Sequence, residues 1–493
     1  MAVPKIYLLS QEEKEHIHDQ SLDILQQVGV HFGSEKALKI LEAGGCDVDW
    51  DEGSAKIPPR VVEGALETLP WQCLLAARDP AQDIICGGDK LYYTSAGVGL
   101  WYRDLETRER RPATSADLVQ CTRLIDGLDE IQEYTPTVLP QDVPPSICEL
   151  RMLQTTLMHT TKHFLGGTSD PRLLPYVAEM IEAVVGDLSR LTERPLFSVI
   201  AEPLSPLHNN PTQLDLTLFW SPYKVPIGLG FMPLAGGTSP VTLAGTVLLT
   251  NAEFLGNVVL YQLAQPGWPI MWTATAATLD MRTGRVVVGP EAALMSLALI
   301  EMAQYYGVPS ESMDICAVEA KDIGFQCGME TVFTGLVTAL AGVNKLWGPA
   351  DLDNYTTVDL AHVLLSTEAV RQINRLRQGM VLDDEHFLFD VIADMGFKGE
   401  YLGDPFHIKG SADRLRSTAA PSTKKYFCRE HLLPNLFPRE SYESWQARGQ
   451  TEEEMAIERV KEILRTHEPE PLPAGVVKEL DRIAAAAEKA LLA

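Results

Sequence analysis

The chain has 493 residues, of which 41 are Lys or Arg and 67 are Asp or Glu, so its formal net charge is −26. This balance excludes nucleic acid and an anionic membrane surface as main partners, because phosphate binding requires a basic surface. With 45% hydrophobic and 22% charged residues, the composition is that of a soluble globular protein. The length fits several domains or one large α/β barrel with extensions.

The longest apolar segment and the cysteines favour a cytoplasmic protein without a membrane span. Residues 241–264 are interrupted by Asn251, Glu253 and Asn257, which predicts a buried helix. The first ten residues lack the apolar core of a secretory signal. The eight cysteines form no Cys-x-x-Cys pair, a distribution typical of reduced cytosolic thiols.

A capped helix and a strand-prone segment begin the chain. Ser10 and Glu13 have the spacing of a capping box at the start of a helical pattern. Residues 86–103 are rich in apolar and aromatic side chains, which predicts strands. We interpret residues 1–129 as an N-terminal α+β extension packed on the main domain.

From residue 130 onward, strand-prone segments alternate with helical patterns, which predicts βα units and a parallel sheet. Eight such units within residues 130–425 favour a (β/α)8 TIM barrel. An open doubly wound sheet stays possible, although no G-x-G-x-x-G motif follows an early strand. The predicted strands are 131–139, 163–168, 196–202, 225–232, 269–274, 312–318, 343–347 and a weaker eighth at 399–402.

The last part of the chain, residues 426–493, is charged and has a helix-forming composition. Helical patterns cover residues 450–465 and 476–492, with a proline-rich segment at 468–473 between them. We therefore predict a helical C-terminal segment.

Candidate site residues lie at or after the predicted strand ends, where TIM barrels collect their functional groups. The sequence contains no serine nucleophile elbow, no phosphate-binding loop and no His or Cys spacing typical of a zinc site. The candidates are aromatic and charged or amide side chains: Glu202, Phe231, Trp272, Arg282, Glu319, Lys321, Gln326, Trp347, Asn354 and Tyr355.

Several candidates also have a purely structural interpretation. A tryptophan within a strand is more often core packing than a ligand contact, and this applies to Trp272 and Trp347. Glu202 could cap a loop or pair with an arginine. Asp280 and Arg282 could form an ion pair that fixes their own loop.

Five segments together resemble one protein family. Three lie in the predicted barrel: PLAGGTSPVTLAGTVLLTNAEFLGNVVLYQ at 233–262, ATLDMRTG at 277–284 and ALAGVNKLWG at 339–348. Two lie in the tail: LPNLFPRESYESW at 433–445 and HEPEPLP at 467–473. In this order they resemble the trimethylamine methyltransferase (MttB-like) family over nearly the whole chain.

The resemblance implies a TIM-barrel enzyme that transfers a methyl group from a methylated amine to the cobalt of a separate corrinoid protein. Founding members of the family use trimethylamine and decode an in-frame amber codon as pyrrolysine. The larger group lacks pyrrolysine and includes enzymes for quaternary amines such as glycine betaine. Every position of this chain is a standard residue, so it resembles the second group.

We therefore expect the methyl donor to be a quaternary amine, glycine betaine or a related betaine. We expect no tightly bound cofactor and no metal, since the resemblance implies that the corrinoid (cobalamin) is carried by the partner protein. We also expect a homo-oligomer located in the cytoplasm.

The resemblance also implies some of the active-site residues. Where the family has a T-D-S-K segment followed by a glutamine, this chain has Val318, Glu319, Ala320 and Lys321, and then Gln326. Lys321 and Gln326 match, Glu319 is a conservative replacement and Val318 departs. We predict catalytic roles for Glu202, Glu319, Lys321 and Gln326. We predict substrate-binding roles for Phe231, Trp272, Arg282, Trp347, Asn354 and Tyr355.

The chemistry of the amine distinguishes three alternatives. A quaternary ammonium carries no N–H, so aromatic rings and carboxylates are the groups available to bind it. A tertiary methylamine such as trimethylamine would also need an acid near the leaving nitrogen, and Glu202 is the candidate for that role. The third alternative is a barrel that binds betaine without catalysis.

Overall fold

Eight parallel strands form the centre of the computed structural model, which describes residues 2–95, 97–313, 318–348, 351–398, 401 and 421–492. The strands close into a barrel with helices around it, so the TIM-barrel prediction is confirmed. β8 closes the barrel by pairing with β1, where Lys345 lies opposite Tyr92. The barrel strands are β1 (Tyr92–Thr94), β2 (Glu133–Tyr134), β3 (His163–Gly166), β4 (Phe197–Ala201), β5 (Ile227–Phe231), β6 (Ile270–Ala274), β7 (Ser310–Ser312) and β8 (Lys345–Trp347).

The barrel begins earlier in the chain than the alternating sequence pattern indicates. β1 lies within residues 1–129, so the barrel includes part of the segment that the sequence analysis assigns to an N-terminal extension. The strand-prone segment 86–103 contains β1, but a local pattern does not show which sheet a strand joins, and β1 pairs with the distant β8 and with β2.

The two remaining differences concern the later strands. The predicted strand at 312–318 shares only Ser312 with β7, and residues 314–317 lie outside the described residues. The weaker predicted strand at 399–402 also lies outside them, except for Tyr401, which is in a turn. The barrel is closed by eight strands without it.

Helices cover the outside of the barrel and both ends of the chain. The described helices are Gln11–Gln27, Glu35–Ala43, Pro59–Thr68, Ser115–Asp126, Pro145–His159, Leu174–Val185, Pro211–Phe219, Leu243–Ala264, Pro290–Tyr305, Phe325–Ala341, Leu360–Arg377, Asp384–Phe387, Phe389–Met395, Pro421–Glu430, Tyr442–Arg448, Glu452–Thr466 and Ala474–Leu491. Short strands outside the barrel are Val30–His31, Asp47–Asp49, Ser54–Lys56, Cys73–Leu75, Ile84–Cys86, Trp101–Arg103, Arg110–Pro112, Leu234–Ala235, Ala277–Leu279, Val286–Val287, Asp351–Leu352 and Thr357–Val358.

The long helix Leu243–Ala264 is buried between the barrel and the N-terminal part of the chain. It contacts β5 on one side, and the helices Gln11–Gln27 and Pro59–Thr68 pack against it on the other. Glu253 is its only charged residue, and a helix without a polar face must be covered all round. Among the described helices, it alone has the length and composition to cross a membrane. However, 78% of its apolar 18-residue stretch is buried inside the protein.

A small hairpin closes the N-terminal end of the barrel. Its strands Cys73–Leu75 and Ile84–Cys86 pack against Met271 of β6. His163 at the start of β3 donates from Nδ1 to the Ala76 carbonyl and accepts at Nε2 from the Ser198 hydroxyl. Burial lowers the pKa of His163 to about 3, so this imidazole is neutral. The opposite end, where the strands finish, is the end available for a site.

The C-terminal helices pack on the outer helices of the barrel. Glu452–Thr466 lies against Leu360–Arg377 and Ser115–Asp126, and Ala474–Leu491 lies against Pro145–His159 and Leu174–Val185. Their apolar residues, such as Val460 and Ile483, are fully buried. The tail therefore belongs to the same hydrophobic core as the barrel.

Candidate active site

A cavity of about 520 Å³ opens at the C-terminal ends of the barrel strands. Parallel strands all finish at this end, so residues far apart in the sequence meet there. The wall comes from residues that end or follow β1 to β4, β7 and β8, together with the helices Pro145–His159 and Pro211–Phe219. Representative lining residues are Gly97, Thr135, Thr168, Glu202, Met313 and Trp347.

Two aromatic residues from the β8 region line the cavity, and both are predicted substrate-binding residues. Trp347 is the last residue of β8, is 5% exposed, and presents its ring to the cavity wall. Tyr355 reaches the same cavity from the following loop. The structure therefore places Trp347 and Tyr355 in the wall of the same cavity.

The loop before Tyr355 has an unusual backbone. Asp353, Asn354 and Tyr355 have φ values of 56°, 52° and 63°, which side chains larger than glycine rarely adopt. The Asn354 side chain donates to the carbonyl of Val286 at 2.8 Å. Asn354 thus anchors the loop that carries Tyr355 and does not itself line the cavity.

Glu202 directly follows β4 and lines the cavity from the opposite side. It hydrogen-bonds to no other residue in the described part of the chain. Although the carboxyl is accessible from the cavity, the surrounding protein partly buries it and raises its pKa. A carboxyl of this kind can attract a cation when ionised and can transfer a proton when protonated.

The loop that begins at Glu202 is fixed by a second, buried carboxyl. Glu253 on the helix Leu243–Ala264 accepts hydrogen bonds from the Ser205 hydroxyl at 2.9 Å and from the Leu207 backbone N–H at 2.8 Å. Burial raises the pKa of Glu253 to about 7, although both hydrogen bonds oppose the rise. Sequence patterns did not indicate this contact, because a lone acid in an apolar helix does not identify its partner.

Glu149 is a further carboxylate in the cavity wall and is not among the residues predicted from the sequence. It lies on the helix Pro145–His159 and accepts hydrogen bonds from the backbone N–H of Ser169 at 2.9 Å and from the hydroxyls of Thr168 and Ser169. Its oxygens are therefore occupied in holding the loop after β3. Candidates taken only from strand ends exclude such a helical residue.

Phe231 and Trp272 do not line the cavity, because they face the outer helices. Side chains alternate between the two sides of a strand, and Gly228 and Gly230 of β5 face the barrel interior. Phe231 therefore points outward and is fully buried. The ring of Trp272 stacks on Phe254 with centroids 3.9 Å apart, so the core-packing alternative describes Trp272.

Arg282 also lies away from the cavity. Its side chain is 88% exposed and its guanidinium pairs with Asp280, with Nε 3.1 Å from Oδ1. The hydrogen bonds from Arg282 lower the pKa of Asp280 to about 2. The ion-pair interpretation of these two residues is therefore correct, and the substrate-binding interpretation of Arg282 is not supported.

Glu319, Lys321 and Gln326 form a cluster beside the mouth of the barrel and do not line the cavity. The Glu319 backbone N–H and the Gln326 amide both donate to Glu330, each at 2.8 Å. Burial, with the nearby Glu330 carboxylate, raises the pKa of the Glu319 side chain. Lys321 pairs with Asp353 at 2.9 Å, so this cluster braces the loop that carries Tyr355.

Backbone hydrogen bonds also connect this cluster to the loop that carries Tyr355. The Asp353 N–H donates to the Ala320 carbonyl and the Asn354 N–H donates to the Val318 carbonyl, both at 2.9 Å. The segment after β7 and the loop after β8 thus form one unit. Lys321 and the backbone of residues 318 and 320 therefore contact the loop that carries Tyr355.

The barrel interior contains three charged residues that were not predicted as site residues. They are Glu133, Glu311 and Lys345, here called the acid–lysine network. The Lys345 ammonium lies 2.6 Å from a Glu133 oxygen and 2.7 Å from a Glu311 oxygen. Thr273 donates to the second Glu311 oxygen at 2.6 Å. A lysine within the apolar strand segment at 343–347 was the available signal.

The described residues contain no group of three or more His, Cys, Asp or Glu side chains arranged to hold a metal ion. The expectation of a metal-free protein stays a prediction. Cys316 lies outside the described residues, and the other seven cysteines are free thiols.

Comparison with known proteins identifies the family. The family model for trimethylamine methyltransferase (MTTB) matches residues 1–490. The trimethylamine methyltransferase MttB of Desulfitobacterium hafniense (strain DSM 10664 / DCB-2) is 31% identical over 476 residues, which cover 96% of this chain and 92% of the relative. The glycine betaine methyltransferase of Desulfitobacterium hafniense (strain Y51) is 26% identical over 481 residues, covering 97% and 96%.

A solved structure supports the fold. The crystal structure of the hydroxylamine MtmB complex matches with a TM-score of 0.52 at 10% identity, over 99% of this chain and 88% of that chain. The matches to the family model and to the relatives extend through the barrel and the tail alike. The chain therefore belongs to the trimethylamine methyltransferase (MTTB) family and is a methyltransferase.

Proposed function

We propose that this methyltransferase moves a methyl group from a quaternary amine, glycine betaine or a related betaine, to the cobalt of a separate corrinoid protein. The observation that carries the proposal is the cavity lined by the rings of Trp347 and Tyr355 and by the Glu202 carboxyl. A quaternary ammonium offers no N–H, so rings and carboxylates are the groups that can bind it. The names of the two relatives, which act on trimethylamine and on glycine betaine, support a methylated amine as the donor.

The mouth of the barrel is suited to a protein partner. Val98, Leu204 and Met232 follow β1, β4 and β5 and are exposed, and exposed apolar side chains around a functional opening are typical of a protein contact. These residues would contact the corrinoid protein. A corrinoid bound there supplies the nucleophile that accepts the methyl group.

The chain itself binds and orients the amine. Positive charge leaves the nitrogen as its bond to the methyl carbon breaks, so a very tight anionic grip on the cation would stabilise the ground state and slow the transfer. Trp347 and Tyr355 attract the cation through their ring faces, and the single carboxyl of Glu202 adds a moderate charge. Holding one methyl group toward the mouth is then the main contribution of the barrel.

A second candidate donor is a tertiary methylamine such as trimethylamine. The raised pKa of Glu202 favours it, because a protonated carboxyl in the cavity could give its proton to the leaving nitrogen. In this case Glu202 acts as a general acid.

An anaerobic assay with the purified chain and free cob(I)alamin tests these donors, with methylcobalamin formation followed by absorbance. We expect glycine betaine or another betaine to be demethylated and trimethylamine to be inert. Demethylation of trimethylamine with every betaine inert would select the second candidate. Betaine binding without methylcobalamin from any amine would identify a non-catalytic betaine-binding barrel.

We further propose that the enzyme works in the cytoplasm as a homo-oligomer. The seven free cysteines among the described residues support a reducing compartment. Cell fractionation tests the location, and sedimentation of the purified chain tests the oligomer.

A further inference from the structure

The acid–lysine network is buried more completely than its chemistry favours. Glu133, Glu311 and Lys345 are each at most 1% exposed. The free energy lost when such charges leave water usually exceeds the free energy gained from their attraction. Proteins in which apolar residues replace a buried ion pair are often equally stable. Fold stability therefore does not account for a charged group at the axis of the barrel.

The surrounding residues are arranged around this network. A Cβ at Gly228 would lie 2.9 Å from a Glu311 oxygen, so the glycine provides the space for that carboxylate. Thr273 directs its hydroxyl to the same carboxylate. Lys345 bridges both acids and so joins β2, β7 and β8 inside the barrel.

The network has a formal charge of −1, because it combines two carboxyl groups with one ammonium. The described neighbours His163, Cys73 and Cys86 are neutral. Burial lowers the pKa of His163 to about 3 and raises the pKa of the Cys73 and Cys86 thiols. Burial also raises the pKa of Glu133, and the Lys345 ammonium opposes the rise.

The network adjoins the cavity through Lys345. The Lys345 ammonium is 5.8 Å from the centroid of the Trp347 ring, and the same ring lines the cavity. The barrel interior has a low dielectric constant, so a buried charge acts over several ångströms. At an effective dielectric constant of about 20, a unit charge about 10 Å away changes the affinity for a cation roughly tenfold.

We propose that the acid–lysine network makes the cavity selective for cations, by placing a net negative charge beside Trp347 without touching the substrate. Glu133 is then a specificity-determining residue that acts through space. The inference rests on the proposed function only in that the cavity binds a quaternary amine.

The experiment compares glycine betaine with its carbon isostere, in which a tert-butyl group replaces the trimethylammonium group. The dissociation constants of both compounds are measured by calorimetry in mildly alkaline buffer, without the corrinoid. The test variant is Glu133→Gln, which removes the charge but can still accept a hydrogen bond from Lys345. Glu311→Gln makes the same charge change from another strand.

Glu301→Gln is the matched control. Glu301 is also a fully buried carboxylate paired with a lysine, Lys14 at 3.0 Å, but it lies on the outer helix Pro290–Tyr305. It matches the charge change and the burial of Glu133 at a site outside the barrel interior.

We expect the wild-type chain to prefer the cation, and Glu133→Gln to lower this preference about tenfold while the affinity for the isostere stays constant. The inference would be overturned if Glu133→Gln weakened the binding of both compounds equally or left the preference for glycine betaine over the isostere unchanged. The same change of preference in Glu301→Gln would also overturn it. So would a wild-type chain that binds neither compound, or the failure of both Gln variants to fold. A charge-dependent preference without methyl transfer to cobalt would sustain the inference and refute the proposed function.

Discussion

Two tryptophans of the barrel wall have opposite orientations and therefore different roles. Trp347 lines the cavity, whereas Trp272 stacks on Phe254 outside the barrel. Desolvated cation–ring contacts are worth about 2 kcal/mol, so we expect Trp347→Ala to raise the dissociation constant of the quaternary amine at least about tenfold. Trp272→Ala should lower the free energy of unfolding by about 3–5 kcal/mol and leave that dissociation constant unchanged.

Calorimetric binding and denaturant unfolding on both variants check this contrast. A Trp347→Ala protein that is destabilised but binds the amine with unchanged affinity would exclude Trp347 from the site.

The Glu202 carboxyl should make cation binding depend on pH. Partial burial raises its pKa, and only the ionised form attracts a cation. We therefore expect the affinity for a quaternary amine to fall as the pH is lowered through this raised pKa. In Glu202→Gln the affinity should be several-fold weaker at neutral pH and should lose this pH dependence. Binding measured between mildly acidic and mildly alkaline pH checks both statements, and identical pH profiles for the two proteins would contradict them.

At the level of elements, Glu253 joins the long buried helix to the loop after β4. Its pKa in the folded protein is about 7, above its ordinary value of 4.5. The folded state therefore keeps a proton that the unfolded chain releases, so this carboxyl lowers the stability as the pH rises from 4.5 to about 7. In Glu253→Gln this loss is absent.

We expect the unfolding free energy of Glu253→Gln, relative to wild type, to increase across that pH interval by up to about 3 kcal/mol. Above this pH interval, the difference in unfolding free energy between the variant and the wild type should be constant. Urea unfolding of both proteins at a series of pH values measures this difference, and parallel curves would show that Glu253 titrates normally.

A buried lysine fixes the connection between the helix Ser115–Asp126 and β2. The Lys162 ammonium donates to the carbonyls of Ile125, Leu128 and Ile131 at 2.6, 2.7 and 2.5 Å. Lys162→Met would leave these acceptors without a donor, at a cost of about 1–3 kcal/mol for each buried group that water does not reach. We expect the free energy of unfolding to fall by about 3 kcal/mol.

Lys461→Met is the control, since Lys461 forms an ion pair with the exposed Glu106 and with no other residue that the structure describes. Such a substitution should change the stability by at most about 0.5 kcal/mol. Equal effects of the two lysine substitutions in thermal or urea unfolding would contradict the capping role of Lys162.

At the scale of the whole molecule, the first barrel strand and the cover of the long helix come from the N-terminal part of the chain. A chain that begins at Glu130 lacks β1, so β8 and β2 lose their shared neighbour and become open edges. The apolar outer face of Leu243–Ala264 also becomes exposed. We expect this truncated chain to aggregate and to show no cooperative unfolding.

The soluble fraction after expression and the thermal transition by circular dichroism measure this outcome. Supplying residues 1–129 as a separate chain should restore solubility in part. A soluble and cooperatively unfolding 130–493 chain would show that the N-terminal part is dispensable.

Local sequence patterns were sufficient to predict the fold class and the family. Alternation of strand and helix periods along the chain predicted the barrel, since each period depends only on neighbouring residues. Segments such as 233–262 and 339–348 carried the family resemblance because a run of residue types needs no tertiary information. Trp347, Tyr355 and Glu202 were predicted as site residues from their positions after strands, and all three line the cavity.

Only the tertiary structure decided which side of each element meets the cavity and which distant residues pair. Phe231 ends β5 and Trp272 lies in the middle of β6, and both point outward, because a shift of one residue in a strand reverses the direction of the side chain. β1 lies within the predicted strand segment 86–103, but its place in the barrel depends on long-range pairing with β8 and β2. The acid–lysine network joins residues 133, 311 and 345, and such long-range pairing arises only when the barrel closes, because no local pattern specifies which charges meet at its axis.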